Sequence, residues 1–315
     1  KILAGGQSLI PLLKLRFTSI PNIIVMYPDK FEYFAPEDIE SLEKLLDKFQ
    51  DDAKILAGGQ SLIPLLKLRF TSIPNIIDIA NIKELNFIDG SDGLKIGPMV
   101  RTAEVARNRL IKQKCNLLSD AASKIADPQV RNMGTIGGDV CEADPRNDMP
   151  AVMLALNAEF EITGSSGIRT VKATDFFKDA YTTDVRPNEI LTKIIIGDYS
   201  KYYGKYFKFT TLSSDFPVFA IAVNMSVGND KTINDLGIGL TNLNTTAVKA
   251  VDVEEFLKGK KPDDNTLESA FKKLESYIDI EDDVNGTKDH KMEILNEMFK
   301  NGIKEVYGVL NDGKH

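Results

Sequence analysis

The sequence has very few residues that could bind a metal ion or form a nucleophile–base pair. Among its 315 residues there are two cysteines, two histidines and no tryptophan. An iron–sulfur cluster needs about four thiolates and a structural zinc ion needs about four Cys or His ligands. A cluster held by this chain alone is therefore excluded, and a structural zinc site is disfavoured. Ser-His-Asp catalysis would have to use His290 or the terminal His315, so we expect no such triad.

Excess positive charge and long apolar runs are also absent. Lysine plus arginine total 39 and aspartate plus glutamate total 46, which gives a net charge of −7. No net positive field therefore attracts nucleic acid. No apolar run reaches the ~18 residues of a membrane helix, and no signal-peptide pattern begins the chain. The few cysteines fit a reducing compartment. We expect a cytoplasmic globular protein of roughly two domains.

An exact repeat is present near the N-terminus. Residues 1–24 read KILAGGQSLIPLLKLRFTSIPNII, and residues 54–77 repeat this string letter for letter. Repeats that build solenoids drift in sequence and recur several times, so a recent duplication or an artefact explains this identity better than folding does. Met26 is a natural start. We treat residues 1–25 as a duplicated, non-native extension.

From Met26 onward, the spacing of apolar residues predicts alternating helices and strands. Ile39–Phe49 has helical spacing. Strands at Lys54–Ala57 and Ile76–Ile79 flank a helix capped by Ser61, which predicts a β–turn–α–β unit. Further elements are predicted as a strand at Leu94–Ile96, a helix from Thr102 toward Leu110, a helix beginning near Pro150, and strands at Ile190–Ile196 and Val218–Val227. The pattern of predicted strands and helices changes after residue 200, where we place a domain boundary.

Two glycine pairs carry the chemical signal. AGGQS at residues 57–61 lies between a strand and a helix, and TIGGD at residues 135–139 is predicted to be a polar loop ahead of a helix. Neither matches the GxGxxG or P-loop pattern. Paired glycines let backbone N–H groups approach an anion closely. A lone pair is usually a plain turn, but two such segments with flanking hydroxyls favour a diphosphate held from two sides.

The order of motifs resembles a known family. AGGQSLIPLLKLR, PNIIDI, VRNMGTIGGDV, EADPRNDMPAVMLALNA and FFKDAYTTDVRPNEILTKI occur in this order between Met26 and about Tyr307. This resembles the FAD-binding medium subunit of the molybdenum hydroxylases, the family of carbon monoxide, aldehyde and xanthine dehydrogenases. Among its members the chain looks most similar to archaeal aldehyde (glyceraldehyde-type) oxidoreductases.

The resemblance implies an α+β fold with two parts. A two-part FAD-binding domain of the vanillyl-alcohol-oxidase/PCMH type is expected at residues 26–200, with subdomains at about 26–85 and 86–200. A smaller α+β C-terminal flavoprotein domain is expected at residues 201–315. The resemblance assigns FAD contacts to the following residues: Gly58, Gly59, Gln60, Ser61, Leu62, Thr135, Ile136, Gly137, Gly138, Asp144 and Lys208. No catalytic residue and no metal ligand are assigned.

Some of these roles have plainer alternatives. Lys208 could be a solvated charge on an edge strand. Asp144 could cap the helix near Pro150 or form a turn with Pro145. Cys141 lies close to TIGGD, but a small buried hydrophobe is the favoured interpretation.

Two positions depart from the family pattern. Asp139 stands where the family usually has Asn or Ser after TIGG, and we expect its carboxylate to point away from a diphosphate because like charges repel. Thr211 stands where members commonly carry an arginine, which puts contacts at that point in doubt.

The resemblance implies a role in electron transfer. The subunit would bind FAD non-covalently, because neither histidine lies in the glycine segments, and would pass electrons to an external acceptor. The molybdenum cofactor and the [2Fe-2S] clusters are expected on partners, which are a large molybdenum subunit and a small iron–sulfur subunit. Two alternatives stay open: a self-sufficient flavin-dependent oxidase or reductase of the same fold, and a non-enzymatic nucleotide-binding module.

Overall fold

The structure of the protein is a computed structural model, and it describes residues 27–313. Within these residues it contains fourteen β-strands and twelve α-helices, which confirms the predicted α+β class. None of these helices has the length and apolar character required to span a bilayer. The predicted extension at residues 1–25 lies outside the described residues.

A three-stranded parallel sheet forms the N-terminal layer. Its strands, in the order β1–β3–β2, are β1 (Glu32–Phe34), β2 (Ala53–Leu56) and β3 (Asn75–Asp78). Helix α1 (Ile39–Phe49) and helix α2 (Leu62–Lys67) connect these strands in turn. The predicted β–turn–α–β unit is therefore confirmed, and its strands are parallel.

Helix α1 shows how the sequence determines this layer. The Asp38 carboxylate accepts a hydrogen bond from the backbone N–H of Ser41 at 2.7 Å, which caps the first turn. Leu42 and Leu46 lie four residues apart, so they share one face of the helix. Both are buried, and they belong to the same apolar cluster as Ile77 of β3.

A five-stranded antiparallel sheet forms the middle layer, in the order β4–β5–β10–β6–β7. Its strands are β4 (Ile88–Asp89), β5 (Leu94–Ile96), β6 (Glu159–Gly164), β7 (Gly167–Lys172) and β10 (Glu189–Ile196). A separate hairpin pairs β8 (Phe177–Asp179) with β9 (Thr182–Thr183). The helices of this part are α3 (Thr102–Arg107), α4 (Arg109–Lys114), α5 (Asn116–Ser123), α6 (Pro128–Met133), α7 (Ile136–Glu142), α8 (Asp148–Ala155) and α9 (Ala173–Phe176).

Two predictions for this part were wrong in detail. The helix predicted from Thr102 toward Leu110 is divided at Asn108, whose backbone is extended and whose side chain accepts from the N–H groups of Leu110 and Ile111. The TIGGD segment is not a loop. It is the cap and first turn of α7, because the Thr135 hydroxyl accepts from the N–H of Gly138 at 3.1 Å.

A four-stranded antiparallel sheet and three helices form the C-terminal part. The strands follow the order β11–β12–β13–β14. They are β11 (Tyr203–Phe209), β12 (Phe219–Val227), β13 (Ile233–Thr241) and β14 (Val248–Lys249), and the helices are α10 (Val251–Leu257), α11 (Asp264–Leu274) and α12 (Lys288–Asn311). Short 3-10 helices occur at Gln50–Asp52, Lys83–Leu85 and Glu275–Tyr277. The domain boundaries near residues 85 and 200 stay predictions.

Helix α8 packs directly on strand β13, and this contact determines the position of the site. A Cβ atom at Gly237 would lie 1.9 Å from the carbonyl oxygen of Ala155, and one at Gly239 would lie 1.8 Å from that of Ala151. The helix can approach the sheet this closely because both positions lack a side chain. As a result, Asp148 at the start of α8 lies beside the side chains of β11.

Candidate cofactor site

Residues 58–62, which we call the first glycine segment, present a row of backbone donors. They connect β2 to α2, and Gly59 has a φ angle of +71°. Within residues 27–313, none of the five backbone N–H groups in this segment has a hydrogen-bond acceptor. Successive backbone N–H groups of this kind form an anion-binding site without a cationic side chain. The segment is therefore suited to a phosphate group.

Gly58 joins this segment to the second glycine motif. A Cβ atom at Gly58 would lie 2.6 Å from the carbonyl oxygen of Met133, 2.7 Å from Gly134 Cα and 2.9 Å from the nitrogen of Thr135. Because these neighbours are backbone atoms, no other residue fits at Gly58 without a shift. The structure thus brings the two predicted motifs together.

Two side chains of the first glycine segment, those of Gln60 and Ser61, differ in their contacts. The amide nitrogen of Gln60 donates to the carbonyl oxygen of Gly58 at 3.2 Å, which steadies the turn. The predicted cap by Ser61 was wrong, because its hydroxyl makes no capping hydrogen bond and its backbone is already helical. Ser61 is exposed, so its hydroxyl is available to a ligand.

The second glycine segment, residues 135–139, uses its donors differently. Ile136 N–H donates to the carbonyl of Val100 at 3.0 Å, and Gly137 N–H donates to that of Pro98 at 2.9 Å. Asp139 N–H donates to the carbonyl of Thr135, and the N–H of Gly138 donates to its hydroxyl. Four of its five backbone N–H groups therefore donate to protein oxygen atoms, and among residues 27–313 only that of Thr135 in this segment has no acceptor.

Gly137 is required for packing. A Cβ atom there would lie 2.3 Å from Pro98 Cβ and 2.7 Å from Pro98 Cα. Arg101 reinforces the same region, since its guanidinium donates to the carbonyl of Met133. The segment is thus held in place by its contacts with Pro98 and Arg101.

Asp144 forms a turn and an ion pair. Its Oδ1 accepts from the backbone N–H of Arg146 at 3.0 Å, which spans Pro145 as in an Asx-turn. The guanidinium of Arg146 also donates to both carboxylate oxygens, at 2.9 and 2.6 Å. The turn proposed as an alternative is therefore present. Arg146 further lies 4.7 Å from the ring centre of Phe216 and contacts the hydroxyl of Tyr181.

Lys208 is buried in an ionic network, so its interpretation as a solvated charge was wrong. It lies on the edge strand β11, but its side chain is only 6% exposed. Its ammonium group donates to Asp148 Oδ2 at 2.9 Å and to the carbonyl of Lys124 at 3.1 Å. The hydroxyl of Tyr206 donates to Asp148 Oδ1 at 2.7 Å. Burial raises the pKa of Tyr206 well above its ordinary value, and the neighbouring Asp148 carboxylate adds to this effect.

Asp139 is directed toward the start of α8. Burial raises the pKa of its carboxyl well above the usual range, and the nearby Asp148 raises the pKa further. The backbone N–H of Met149 and the ammonium of Lys208 oppose these effects. Its Oδ1 is buried and has no hydrogen-bond partner within the described residues. The side chain therefore lies among the groups of α8 and β11.

The cysteines have no reactive character. Burial raises the pKa of both Cys115 and Cys141 to about 12, so each thiol is neutral at physiological pH. Cys141 packs against the apolar cluster that includes Val140, Val152 and Ile194. Among residues 27–313, no group of three or more His, Cys, Asp or Glu side chains is placed to hold a metal ion.

Sequence reasoning missed Arg146, Asp148 and Tyr206. The string DPRND placed a cation two residues after Asp144 and a second carboxylate at a helix start, which was a detectable signal. Tyr206 carried no such signal, because its partner Asp148 is distant in sequence and the pairing depends on how α8 packs on the sheet.

The fold and the site together define a class of protein. A parallel β–turn–α–β unit with a row of available backbone donors, backed by a second glycine segment, is typical of a protein that binds a phosphate-bearing cofactor. The family described as "FAD binding domain in molybdopterin dehydrogenase" matches residues 29–197, and "CO dehydrogenase flavoprotein C-terminal domain" matches residues 205–306.

Individual relatives are similar to this chain in sequence along almost its whole length. The glyceraldehyde dehydrogenase medium chain of Sulfolobus acidocaldarius is 36% identical over 89% of this chain and 100% of that protein. The carbon monoxide dehydrogenase medium chain of Hydrogenophaga pseudoflava is 34% identical over 90% of this chain and 99% of that protein. A solved carbon monoxide dehydrogenase structure from H. pseudoflava has a TM-score of 0.86, with 34% identity, and the match covers 90% of this chain and 99% of that chain.

The chain belongs to the FAD-binding medium subunits of the carbon monoxide and aldehyde dehydrogenase family. It is an oxidoreductase subunit with FAD as its cofactor. The residues present fit this cofactor, because the uncommitted N–H groups of residues 58–62 suit a diphosphate and the missing side chain at Gly58 lets the two segments meet.

Proposed function

We propose that the chain is the FAD-carrying electron-transfer subunit of a molybdenum-dependent aldehyde oxidoreductase. In this role it receives electrons from iron–sulfur clusters on a partner subunit and delivers them to an external acceptor. The observation that carries the proposal is the row of five uncommitted backbone N–H groups at residues 58–62. The similarity to the glyceraldehyde dehydrogenase medium chain supports the choice of an aldehyde substrate for the complex.

Different residues of the site have different proposed roles in binding FAD. The backbone of Gly58, Gly59, Gln60, Ser61 and Leu62 binds the diphosphate, with the Ser61 hydroxyl as an additional donor. Residues 135–138 (Thr135, Ile136, Gly137 and Gly138) support this segment from behind. Asp144 and Lys208 are proposed as further cofactor contacts, and each already forms an ion pair within the protein, with Arg146 and with Asp148. When bound, FAD supplies the redox chemistry, and the protein provides its position and electrostatic surroundings.

Non-covalent binding is part of the proposal. Covalent attachment of a flavin would use a Cys or His side chain. Cys115 is fully buried and Cys141 has a pKa raised to about 12. His290 lies in α12, where its backbone N–H bonds to Thr287 in the first turn.

Two partner subunits are proposed, a large one with the molybdenum cofactor and a small one with the iron–sulfur clusters. The relatives are named as medium chains of dehydrogenases, which supports an assembly of at least these components. A cytoplasmic location stays a prediction.

The cofactor is tested on the purified full chain. Acid precipitation followed by chromatography of the supernatant should release one FAD per chain. Recovery of FMN alone, or flavin that stays with the pellet, would contradict non-covalent FAD binding. A colourless protein that takes up no FAD would instead favour the nucleotide-binding module.

The electron-transfer role is tested by reconstitution. The FAD-loaded chain alone should not oxidise aldehydes in the presence of a dye, whereas the complex rebuilt with both partner subunits should do so. Turnover by the isolated chain at rates typical of a whole complex would contradict the proposal and favour a self-sufficient flavin oxidase.

A further inference from the structure

Three carboxyl groups and two cations lie around the turn between α7 and α8. The carboxyl groups belong to Asp139, Asp144 and Asp148, and the cations belong to Arg146 and Lys208. Both oxygens of Asp144 accept hydrogen bonds from Arg146. Both oxygens of Asp148 have donors as well, which are Tyr206 and Lys208. The cations are therefore committed, and Asp139 has no ion pair within the described residues.

The structure makes the charged form of Asp139 costly. Its Oδ1 is buried and has no hydrogen-bond partner among residues 27–313. A buried carboxylate oxygen without a donor costs much free energy, because the ion loses its hydration there, and the backbone N–H of Met149 and the ammonium of Lys208 offset only part of that loss. Asp148, on α8, faces the same carboxyl and adds a negative charge. A bound proton removes both penalties.

Other ionisable groups face Asp139 from each neighbouring element. They are Asp144 on the turn after α7, Asp148 on α8, and Lys208 and Tyr206 on β11. Lys208 favours the ionised form of Asp139, but its ammonium group is already hydrogen-bonded to Asp148 and to the carbonyl of Lys124. The balance of these groups leaves one carboxyl in excess.

Asp139 is also placed where its charge affects the cofactor. It directly follows Gly138, and a Cβ atom at Gly138 would lie 3.8 Å from Ala57 Cβ, next to the first glycine segment. The carboxyl itself is directed toward α8, so its negative charge would repel a diphosphate bound at residues 58–62 through the protein interior, where little water screens the two charges.

We propose that Asp139 is the proton-holding group of the cofactor site and that binding of the FAD diphosphate is coupled to retention of this proton. This inference rests on the proposed function, because it takes residues 58–62 as the diphosphate site. The protein then binds FAD in its Asp139-protonated form and loses affinity when Asp139 ionises.

The direction of the pH effect follows from linkage. An acid whose pKa is raised in the folded protein, and raised further by a bound anion, favours binding below its pKa in the free protein. Above that pKa the dissociation constant for FAD should rise by up to about tenfold per pH unit.

The test measures the dissociation constant of FAD for the full chain by flavin fluorescence, between about pH 5 and about pH 9. Asp139→Asn is the matched variant, because it keeps the shape of the side chain but cannot ionise. We expect the affinity of the wild type to fall at high pH and that of Asp139→Asn to stay level. Riboflavin, which shares the flavin ring but lacks the diphosphate, should show a much weaker pH dependence with the wild type.

Superimposable pH profiles for the wild type and Asp139→Asn would overturn the inference while leaving FAD binding intact. Equal pH dependence for FAD and riboflavin would overturn the electrostatic coupling. Absence of FAD binding by both proteins at every pH would overturn the proposed function and this inference together.

An infrared measurement on the wild type without FAD tests the protonation of Asp139 directly. It needs neither a bound ligand nor a folded variant. The wild type without FAD should show the C=O stretch of a buried protonated carboxyl at neutral pH, and this band should disappear as the pH rises through the range where FAD affinity falls. A spectrum with no such band at neutral pH would overturn the inference.

Discussion

The backbone N–H groups of residues 58–62 have no acceptor within residues 27–313, whereas those of residues 136–139 all donate to protein oxygen atoms. Both regions contain a glycine pair beside a hydroxyl residue. In the first, Ser61 is exposed and makes no cap. In the second, Thr135 is 2% exposed and caps helix α7.

The difference shows that a glycine pair has two distinct physical uses. In the first region the glycines let a chain turn with a positive φ angle and leave donors available for a ligand. In the second, Gly137 lets a helix start approach Pro98, and the donors are consumed by that packing. Which use applies depends on the neighbouring strands, not on the letters of the motif.

The largest effect is expected for Gly137→Ala. Its methyl group would overlap Pro98 Cβ, Cα and carbonyl oxygen, and two of these are backbone atoms that cannot easily move. We expect a loss of about 3 kcal/mol in the free energy of unfolding, measured by urea denaturation.

The matched control for that change is Gly138→Ala in the same helix. The atom nearest to its new methyl group is the Thr135 hydroxyl at 2.9 Å, and the next is Ala57 Cβ at 3.8 Å. The expected loss is about 1 kcal/mol or less, because alanine also favours the helix. Equal losses at both positions would show that the close contact with Pro98 is not what requires glycine at position 137.

The second effect concerns FAD affinity and comes from Gly59→Val. Valine disfavours the φ angle of +71° found there, so the row of donors would turn away from the ligand. The contact of its Cβ is with the tip of the flexible Ile63 side chain, at 2.5 Å, so the fold should survive. We expect an increase of about 100-fold in the dissociation constant, equal to about 2.7 kcal/mol, by fluorescence titration with circular dichroism as the folding check.

Gly259→Val is the control for backbone strain at a distant position. Gly259 has a φ angle of +75°, and an added Cβ would have no atom within 4 Å. This variant should lose stability through the same strain and keep its FAD affinity. If Gly59→Val retained FAD as well as Gly259→Val does, the first glycine segment would be an ordinary turn.

Much of the fold could be predicted from sequence because local signals were strong. Helix α1 follows from its apolar spacing and from Asp38, and β5 was predicted with the bounds found. The division of the next helix at Asn108 was missed, although asparagine is favoured at helix caps over helix interiors and was itself the available signal. The helical state of residues 136–142 was missed because two glycines disfavour a helix, and the support from Pro98 and Val100 comes from distant residues.

The site was predictable to a similar extent. Its two glycine pairs were recognised in the sequence. Which backbone N–H groups donate to protein oxygen atoms, and which stay available to a ligand, could not be predicted, because this depends on tertiary contacts. The burial of Lys208 was likewise not visible, because strand β11 lies at a sheet edge and its pairing with Asp148 depends on the packing of α8 on β13. The individual cofactor contacts stay predictions.

A smaller effect is expected for Thr135→Ala, which acts on stability. Removal of the hydroxyl leaves the N–H of Gly138 without its partner, and loss of a helix cap costs about 1 kcal/mol. FAD affinity should change by less than about threefold, since Thr135 is buried. Thr135→Ser should restore stability. A large loss of FAD in Thr135→Ala would show that this hydroxyl contacts the cofactor.

The smallest effect on stability is expected for Ser61→Ala. Unlike Thr135→Ala, this variant should lose FAD affinity and keep its stability. Its hydroxyl forms no cap and is exposed, so the free energy of unfolding should stay within about 0.5 kcal/mol of the wild type. Our proposal is that this hydroxyl donates to a phosphate oxygen of FAD, and a hydrogen bond to a charged group contributes about 1.5 kcal/mol. The dissociation constant should therefore rise by about tenfold, measured by fluorescence titration.

Ser61→Thr, which keeps the hydroxyl, is the matched control and should bind FAD more tightly than Ser61→Ala. If Ser61→Ala lost stability and kept its affinity, while Thr135→Ala did the opposite, the roles assigned to the two glycine segments would have to be exchanged.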